Sequence, residues 1–386
     1  MRPLASSIIF IIFLTMMNSC SKEAEQMKSP NTQIVYVGTY TSKGSDGIYV
    51  YKFNMLNSEL TLLHSVKDVE NPSFLALDPE KKYLYAVHEL NNYKGKRTGS
   101  VRSFKIDPQT WNLSYLSEQP SFGEHPCQVT TSREGDFVLL ANYTSGSVSL
   151  FPTRDGIIQT ASDTAQHVGG GPNTNRQKEP HAHSVTLSPD GRFAYAADLG
   201  NDKIYIYDLK KEPGKLTPAE QAFVRTAPGA GPRHFAFHPN GRFAYIINEL
   251  NSTITAFHFQ ADDGALAEIE TVSALPSDFH GESACADIHI TPDGAFLYGS
   301  NRGHDSIAIF KIDAATGRLN VQGFQSTLGK TPRNFAIDPT GSYLLAANQN
   351  SDNIVVFQIN KKTGNLSPTG VQAHVSMPVC IKTLIP

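Results

Sequence analysis

The 386-residue sequence predicts an all-β fold assembled from repeated four-stranded antiparallel units. Three observations carry that expectation. Apolar runs alternate with a period of two and are broken by turn tripeptides such as Pro189-Asp190-Gly191 and Pro239-Asn240-Gly241. Such alternation puts successive side chains on opposite faces of a strand, and Pro, Asn and Gly supply the turn geometries between strands. Turn formers are plentiful, with 29 Gly and 23 Pro, whereas charged residues make up 18%, too few for long solvated helices. The same unit then recurs along the chain, which is the signature of a repeat architecture.

Length alone would suggest two or three domains, but a single all-β domain can run unusually long. Acids (36) and bases (33) nearly cancel. This balance excludes nucleic acid as a partner, because phosphate neutralisation needs a basic face. An apolar content of 40% excludes disorder as well.

The N-terminus reads as an export signal. Arg2 supplies a positive start, Leu4 to Met17 is mostly apolar, and Met17-Asn18-Ser19-Cys20 follows. The run is short for a membrane span and fits a secretory core. A small residue directly before a cysteine resembles a bacterial lipoprotein cleavage box. Residues 1–19 are therefore expected to be a signal peptide, and Cys20 a lipidation site that anchors the chain to a membrane. Residues 20–32 lack apolar periodicity and read as a flexible tether, and residues 33–386 as one domain. The expected location is the periplasm or cell surface. Cys127, Cys285 and Cys380 remain, an odd number set in apolar stretches. They are expected to be buried fillers, not a disulfide frame.

The unit is clearest at residues 231–257, which start Gly-Pro-Arg-His-Phe-Ala-Phe-His-Pro-Asn-Gly-Arg-Phe-Ala-Tyr. Its relatives begin at Pro72, Pro126, Ala182, Cys285, Pro332 and Pro378, giving seven anchors spaced 54, 56, 50, 53, 47 and 46 residues apart. Each holds three alternating runs, with room for a fourth before the next anchor. Four strands in about 50 residues is one blade of a β-propeller. The last anchor has no second run after it, and Ile34 to Tyr40 supplies the missing strand. Seven blades are thus expected, with the ring closed by N- and C-terminal strands in one blade, which removes exposed sheet edges.

In a repeat protein, positions common to all units explain the fold, and positions that break the pattern are candidates for function. Two sites were compared at the inner ends of the strands. After the anchor come Ser73, Cys127, His183, Arg233, Ala286, Arg333 and Val379, followed by Phe74, Gln128, Ser184, His234, Asp287, Asn334 and Cys380. The second run closes on Thr39, His88, Asn142, Asp198, Asn248, Asn301 and Asn348. The recurrent Asn or Asp is expected to be structural, bonding to turn backbone. The residue after it varies freely, as Tyr40, Glu89, Tyr143, Leu199, Glu249, Arg302 and Gln349. His183, Arg233, Glu249 and Arg302, from neighbouring blades, are expected at the same end of the channel. Arginines bind carboxylate or phosphate oxygens through forked hydrogen bonds, and a carboxylate and an imidazole can move protons. His181, His234, Asp287, Arg333 and Glu89 are the further substrate-binding candidates. His181 and His183 have a two-ligand spacing but no third ligand at matching distance, so no metal is assigned. Gly169-Gly170-Gly171-Pro172 lacks a following Lys and helix and reads as a loop.

These residues resemble the seven-bladed β-propeller lactonase family, which includes 6-phosphogluconolactonases and a fungal muconate-cyclising enzyme. The resemblance spans nearly all of residues 33–384. Its most specific stretches are Gly231-Pro232-Arg233-His234 leading to Asn248-Glu249-Leu250-Asn251-Ser252, Ala286-Asp287-Ile288-His289 leading to Pro292-Asp293-Gly294, and Pro332-Arg333. It implies functional groups at His183, Arg233, Glu249 and Arg302. It also implies metal-independent chemistry with no cofactor, and hydrolysis of a small sugar lactone bearing an anionic group. The arginines would stabilise the oxyanion, and Glu249 or His183, with Glu249 favoured, would serve as general base. The signal segment departs from the cytosolic setting of 6-phosphogluconolactone, so a different lactone is one expectation. The alternatives are a non-catalytic surface propeller that binds carbohydrate or protein, and a muconate-type lactonising lyase.

Overall fold

The computed structural model describes residues 31–386. The expected signal segment, Cys20 and the tether up to residue 30 lie outside the described residues. Among the described residues the backbone is strand and turn, with no helix.

Seven antiparallel sheets form the ring. Blades 1 to 6 span residues 75–120, 126–166, 182–225, 232–273, 284–326 and 332–374. Blade 7 pairs Pro378–Leu384 with Thr32–Thr39, then adds Ile48–Asn54 and Glu59–Val66. The ends of the chain meet there in register, with Val37 opposite Ile381 and Val35 opposite Thr383. Strand pairing begins at Thr32, opposite Asn54, one residue inside the expected tether. Blade 2 departs from the pattern. Its outer edge is broken into Ile157–Ile158 and Asp163–Gln166, both paired to Ser147–Arg154.

The core lies between blades. One apolar cluster joins Phe243, Tyr245 and Ile247 of blade 4 to Ile288, Leu297 and Phe310 of blade 5. The next joins Phe296 and Tyr298 of blade 5 to Phe335, Leu344 and Phe357 of blade 6. Second strands are therefore covered on both faces. Phe243–Asn248 is buried at every position, and its sequence reads as a continuous apolar run.

A repeated Phe-x-Tyr pair clasps blades 3, 4 and 5 each to the next. The Tyr195 hydroxyl donates to the Gly264 carbonyl at 2.6 Å, Tyr245 to Gly317 at 2.9 Å and Tyr298 to Gly364 at 2.7 Å. The phenylalanine two residues earlier lies against the same glycine. A Cβ on Gly264, whose φ is +76°, would come within 2.7 Å of the Phe193 ring. Glycine is required there by both the backbone and the packing.

Candidate active site

A shared irregularity aims the candidate side chains. In six of the seven blades the innermost strand slips register against the second strand just after its anchor residue. Pro232 faces Asn248, but His234 faces Ile247, which leaves Arg233 unpaired. Cys127, His183, Arg333 and Val379 hold the same position in their blades. In blade 5 the gap takes both Ala286 and Asp287. Such a bulge redirects a side chain out of the pleat. The recurrent Asn or Asp anchors the strand end. Asn142, Asn301 and Asn348 donate to the carbonyls of Ser121, Ala274 and Thr327, and Asp198 accepts from the backbone of His181 and Gly200. The variable residue that follows is held through its backbone, the Glu249 N–H donating to Gly231 O at 2.7 Å.

These positions enclose a cavity of about 260 Å³, lined by Glu89, Cys127, Tyr143, Arg176, His183, Glu249, Arg302 and Arg333. Glu249 is its centre. Arg176 Nη2 donates to Oε1 at 2.7 Å and Arg233 Nε to Oε2 at 2.9 Å, and Arg302 Nη2 makes an ion pair with Oε2 at 2.7 Å. Burial alone would raise the Glu249 carboxyl. Arg302, Arg233, His183 and Arg176 outweigh that effect and hold it well below the usual carboxylate range. Arg233 is 1% exposed and lies behind Glu249, outside the cavity lining. It also donates to Ala286 O. Burial, with Arg302 and Arg333 nearby, brings its guanidinium down to about 10, so it is charged at neutral pH.

Two arginines keep free donors. Arg302 donates from Nε to Ala284 O and from Nη2 to Cys285 O, Nη2 also pairs with Glu249, and among the described residues Nη1 has no protein acceptor. Among the described residues nothing accepts a hydrogen bond from Arg333, whose guanidinium lies 5.5 Å from the centre of the Tyr40 ring. The Tyr40 hydroxyl in turn donates to Glu89 at 2.9 Å. His183 is 3% exposed. Burial, then Arg233 and His234, push its imidazole well below the ordinary value, so it is neutral, and Cys127 Sγ lies 3.8 Å from its Nδ1.

His183, Glu249, Arg302, Arg333 and Glu89 thus come together as expected, with Arg233 as their buried support. Three expected residues do not join them. His181 stacks on Tyr143 at 4.6 Å and approaches the Tyr143 carbonyl through Nδ1, steadying that ring from outside. The bulge after Ala182 also breaks the shared face expected of His181 and His183. His234 and Asp287 line a separate cavity of about 380 Å³, farther along the innermost strands. There His234 Nδ1 meets Asp287 Oδ1 at 2.7 Å, and His289 Nε2 meets Oδ2 at 2.9 Å. Burial and Arg233 bring His234 down to about 4, so this is a neutral imidazole donating to an ionised carboxylate. Among the described residues no three His, Cys, Asp or Glu side chains cluster to hold a metal.

Arg176, Tyr143 and Cys127 are site residues that the sequence reading did not select. Cys127 is a buried free thiol, as are Cys285 and Cys380. Burial pushes its thiol pKa up, so it is a cavity wall and not a nucleophile. Arg176 sits on the loop 167–181, an insertion the repeat comparison could not align. The loop is tied down by Gln177 Nε2, which donates to Leu199 O at 2.8 Å and Asp202 Oδ1 at 2.7 Å, and by His167 on Asp198 at 2.6 Å. The 56-residue spacing from Pro126 to Ala182, the longest of the six, was the available signal.

Fold and site together describe a seven-bladed β-propeller with an arginine-lined inner cavity. The chain belongs to the lactonase family of seven-bladed β-propellers, whose family model matches residues 34–383. It is 40% identical to a 6-phosphogluconolactonase of Bacillus subtilis, over 79% of this chain and 85% of that protein. It is 37% identical to a 6-phosphogluconolactonase of Formosa agariphila, over 79% and 86%. The solved periplasmic gluconolactonase of Pseudomonas aeruginosa superposes with a TM-score of 0.87 at 34% identity, covering 92% of this chain and 100% of that one. The enzyme class is therefore lactonase.

Proposed function

We propose that the chain hydrolyses a sugar lactone in the inner cavity, without a metal. One observation carries this reading: guanidinium N–H groups of Arg302 and Arg333 that have no protein acceptor among the described residues line the same small cavity as a neutral imidazole. Arg302 Nη1 binds the lactone carbonyl oxygen and stabilises the oxyanion as water attacks the carbon. Arg333 holds an anionic substituent of the substrate. His183 takes the proton from the attacking water and returns it to the ring oxygen as the carbon–oxygen bond breaks, giving the open hydroxy acid. Glu249 has both oxygens engaged by three guanidiniums and serves to fix the arginines. That setting also repels a metal cation.

Proton release measured at constant pH tests the reading, with glucono-1,5-lactone, its 6-phosphate and a muconolactone as substrates. Turnover of a sugar lactone, with a raised KM for the phosphorylated one in Arg333→Ala, is the expected result. Turnover of the muconolactone alone would indicate a lactonising lyase, and no turnover would leave a binding propeller. Export and anchoring through Cys20 complete the proposal, and the similarity to a periplasmic relative supports the export. Cys20→Ala should release the protein from the membrane fraction.

A further inference from the structure

We propose that the inner cavity continues into a second subsite that takes a neutral polyhydroxyl substituent, a glycosyl group carried by the lactone. The inference rests on the lactone-hydrolase reading above. Beside the inner cavity lies a wider one of about 770 Å³. The two share Arg176, Glu249 and Arg302 as a common wall, so a ligand seated against these three extends from one into the other. The inner cavity alone is smaller than ordinary ligand pockets, which run from about 300 to 1,000 Å³.

The outer lining has the chemistry of a sugar site. Asn173 Oδ1 accepts from the backbone of Asn175 and Arg176, at 3.1 and 3.2 Å. Asn251 Oδ1 accepts from Thr253 Oγ1 at 2.8 Å. Both amide carbonyls are used, and among the described residues neither amide NH2 group has a protein acceptor. Each side chain is thus oriented as a donor. Glu282 is an exposed carboxylate in the same lining, with no cation partner among the described residues. A sugar hydroxyl both donates and accepts, so a wall of amide donors with a carboxylate acceptor matches it. The carboxylate also decides against a second phosphate here, because it repels an anion. The wall stays close through Gly303, whose φ is +106° and where a Cβ would collide with the Glu282 carbonyl.

The test compares glucono-1,5-lactone with cellobiono-1,5-lactone, which adds one glucosyl group at O4. The expected kcat/KM is at least about tenfold higher for the disaccharide lactone, and Asn251→Ala should lower that ratio about fivefold. Equal efficiencies, or a ratio unchanged in the variant, would overturn the subsite. If neither lactone is opened, the hydrolase reading fails, and calorimetry with the stable acids judges the subsite alone. Cellobionate should then bind about tenfold more tightly than gluconate in wild type and lose most of that margin in Asn251→Ala; equal affinities would overturn the inference.

Discussion

Arg176 and Glu249 lie 73 residues apart in the chain and meet at 2.7 Å at the channel mouth, the first on an insertion after blade 2 and the second at a strand end in blade 4. The contact closes a set of three guanidiniums around one carboxylate. Arg176 is the exposed member, with 42% of its side chain accessible, whereas Glu249 is buried. Arg176→Ala should therefore cost little stability, since partly exposed pairs contribute about 0–1 kcal/mol. It should lower kcat/KM for a lactone about tenfold, because Glu249 and the Tyr143 hydroxyl lose a shared donor. Steady-state kinetics alongside thermal melting would show the split.

Glu249 should behave differently. Its replacement by Gln leaves the Arg233 guanidinium buried without its anion. Breaking one side of a buried ion pair costs about 3–5 kcal/mol. Urea unfolding should show a loss of that size for Glu249→Gln, several times that of Arg176→Ala. A loss under about 1 kcal/mol would mean the carboxylate is not the charge that balances Arg233.

Acid should weaken the fold through buried histidines. Burial is the largest cause that lowers His234 to about 4 and also lowers His183. In the unfolded chain both return to about 6.5. Between pH 6.5 and 4 the unfolded state binds protons that the folded state refuses, so stability falls as pH falls through that window. His234 contributes on the order of 3 kcal/mol at the limit. The melting temperature should drop from pH 7 to pH 5, and His234→Gln should flatten the slope.

The blade clasps should be measurable one at a time. Tyr195→Phe removes one buried hydrogen bond to Gly264, worth about 1 kcal/mol. Gly264→Ala should cost more, since the new methyl meets the Phe193 ring and the backbone is left-handed there. Equal effects in chemical denaturation would contradict the double role given to that glycine.

The ring was legible because each blade restates it. Period-two runs, Pro-x-Gly turns and anchors from Pro72 to Pro378 mark strands that the structure pairs in that order, including the closure of Val37 on Ile381. Glu249, Arg302 and Arg333 were legible for a related reason. They break a pattern whose other positions are fixed by packing, and the bulge carries the pattern breakers to one end. Arg176 lay outside that logic, since an insertion has no counterpart to compare. The separation of His234 and Asp287 from the inner cavity was not legible either. Neighbours along a bulged strand turn to different levels of the channel, and sequence spacing does not record the turn.

Hydrolysis of a sugar lactone by wild type and Arg302→Ala, with matched circular dichroism, tests the central claim most directly. If Arg302 Nη1 stabilises the oxyanion, kcat should fall by about 10²–10³ while the fold is retained. A wild-type kcat in the variant would show that the arginine-lined cavity at the channel mouth is not where the lactone opens.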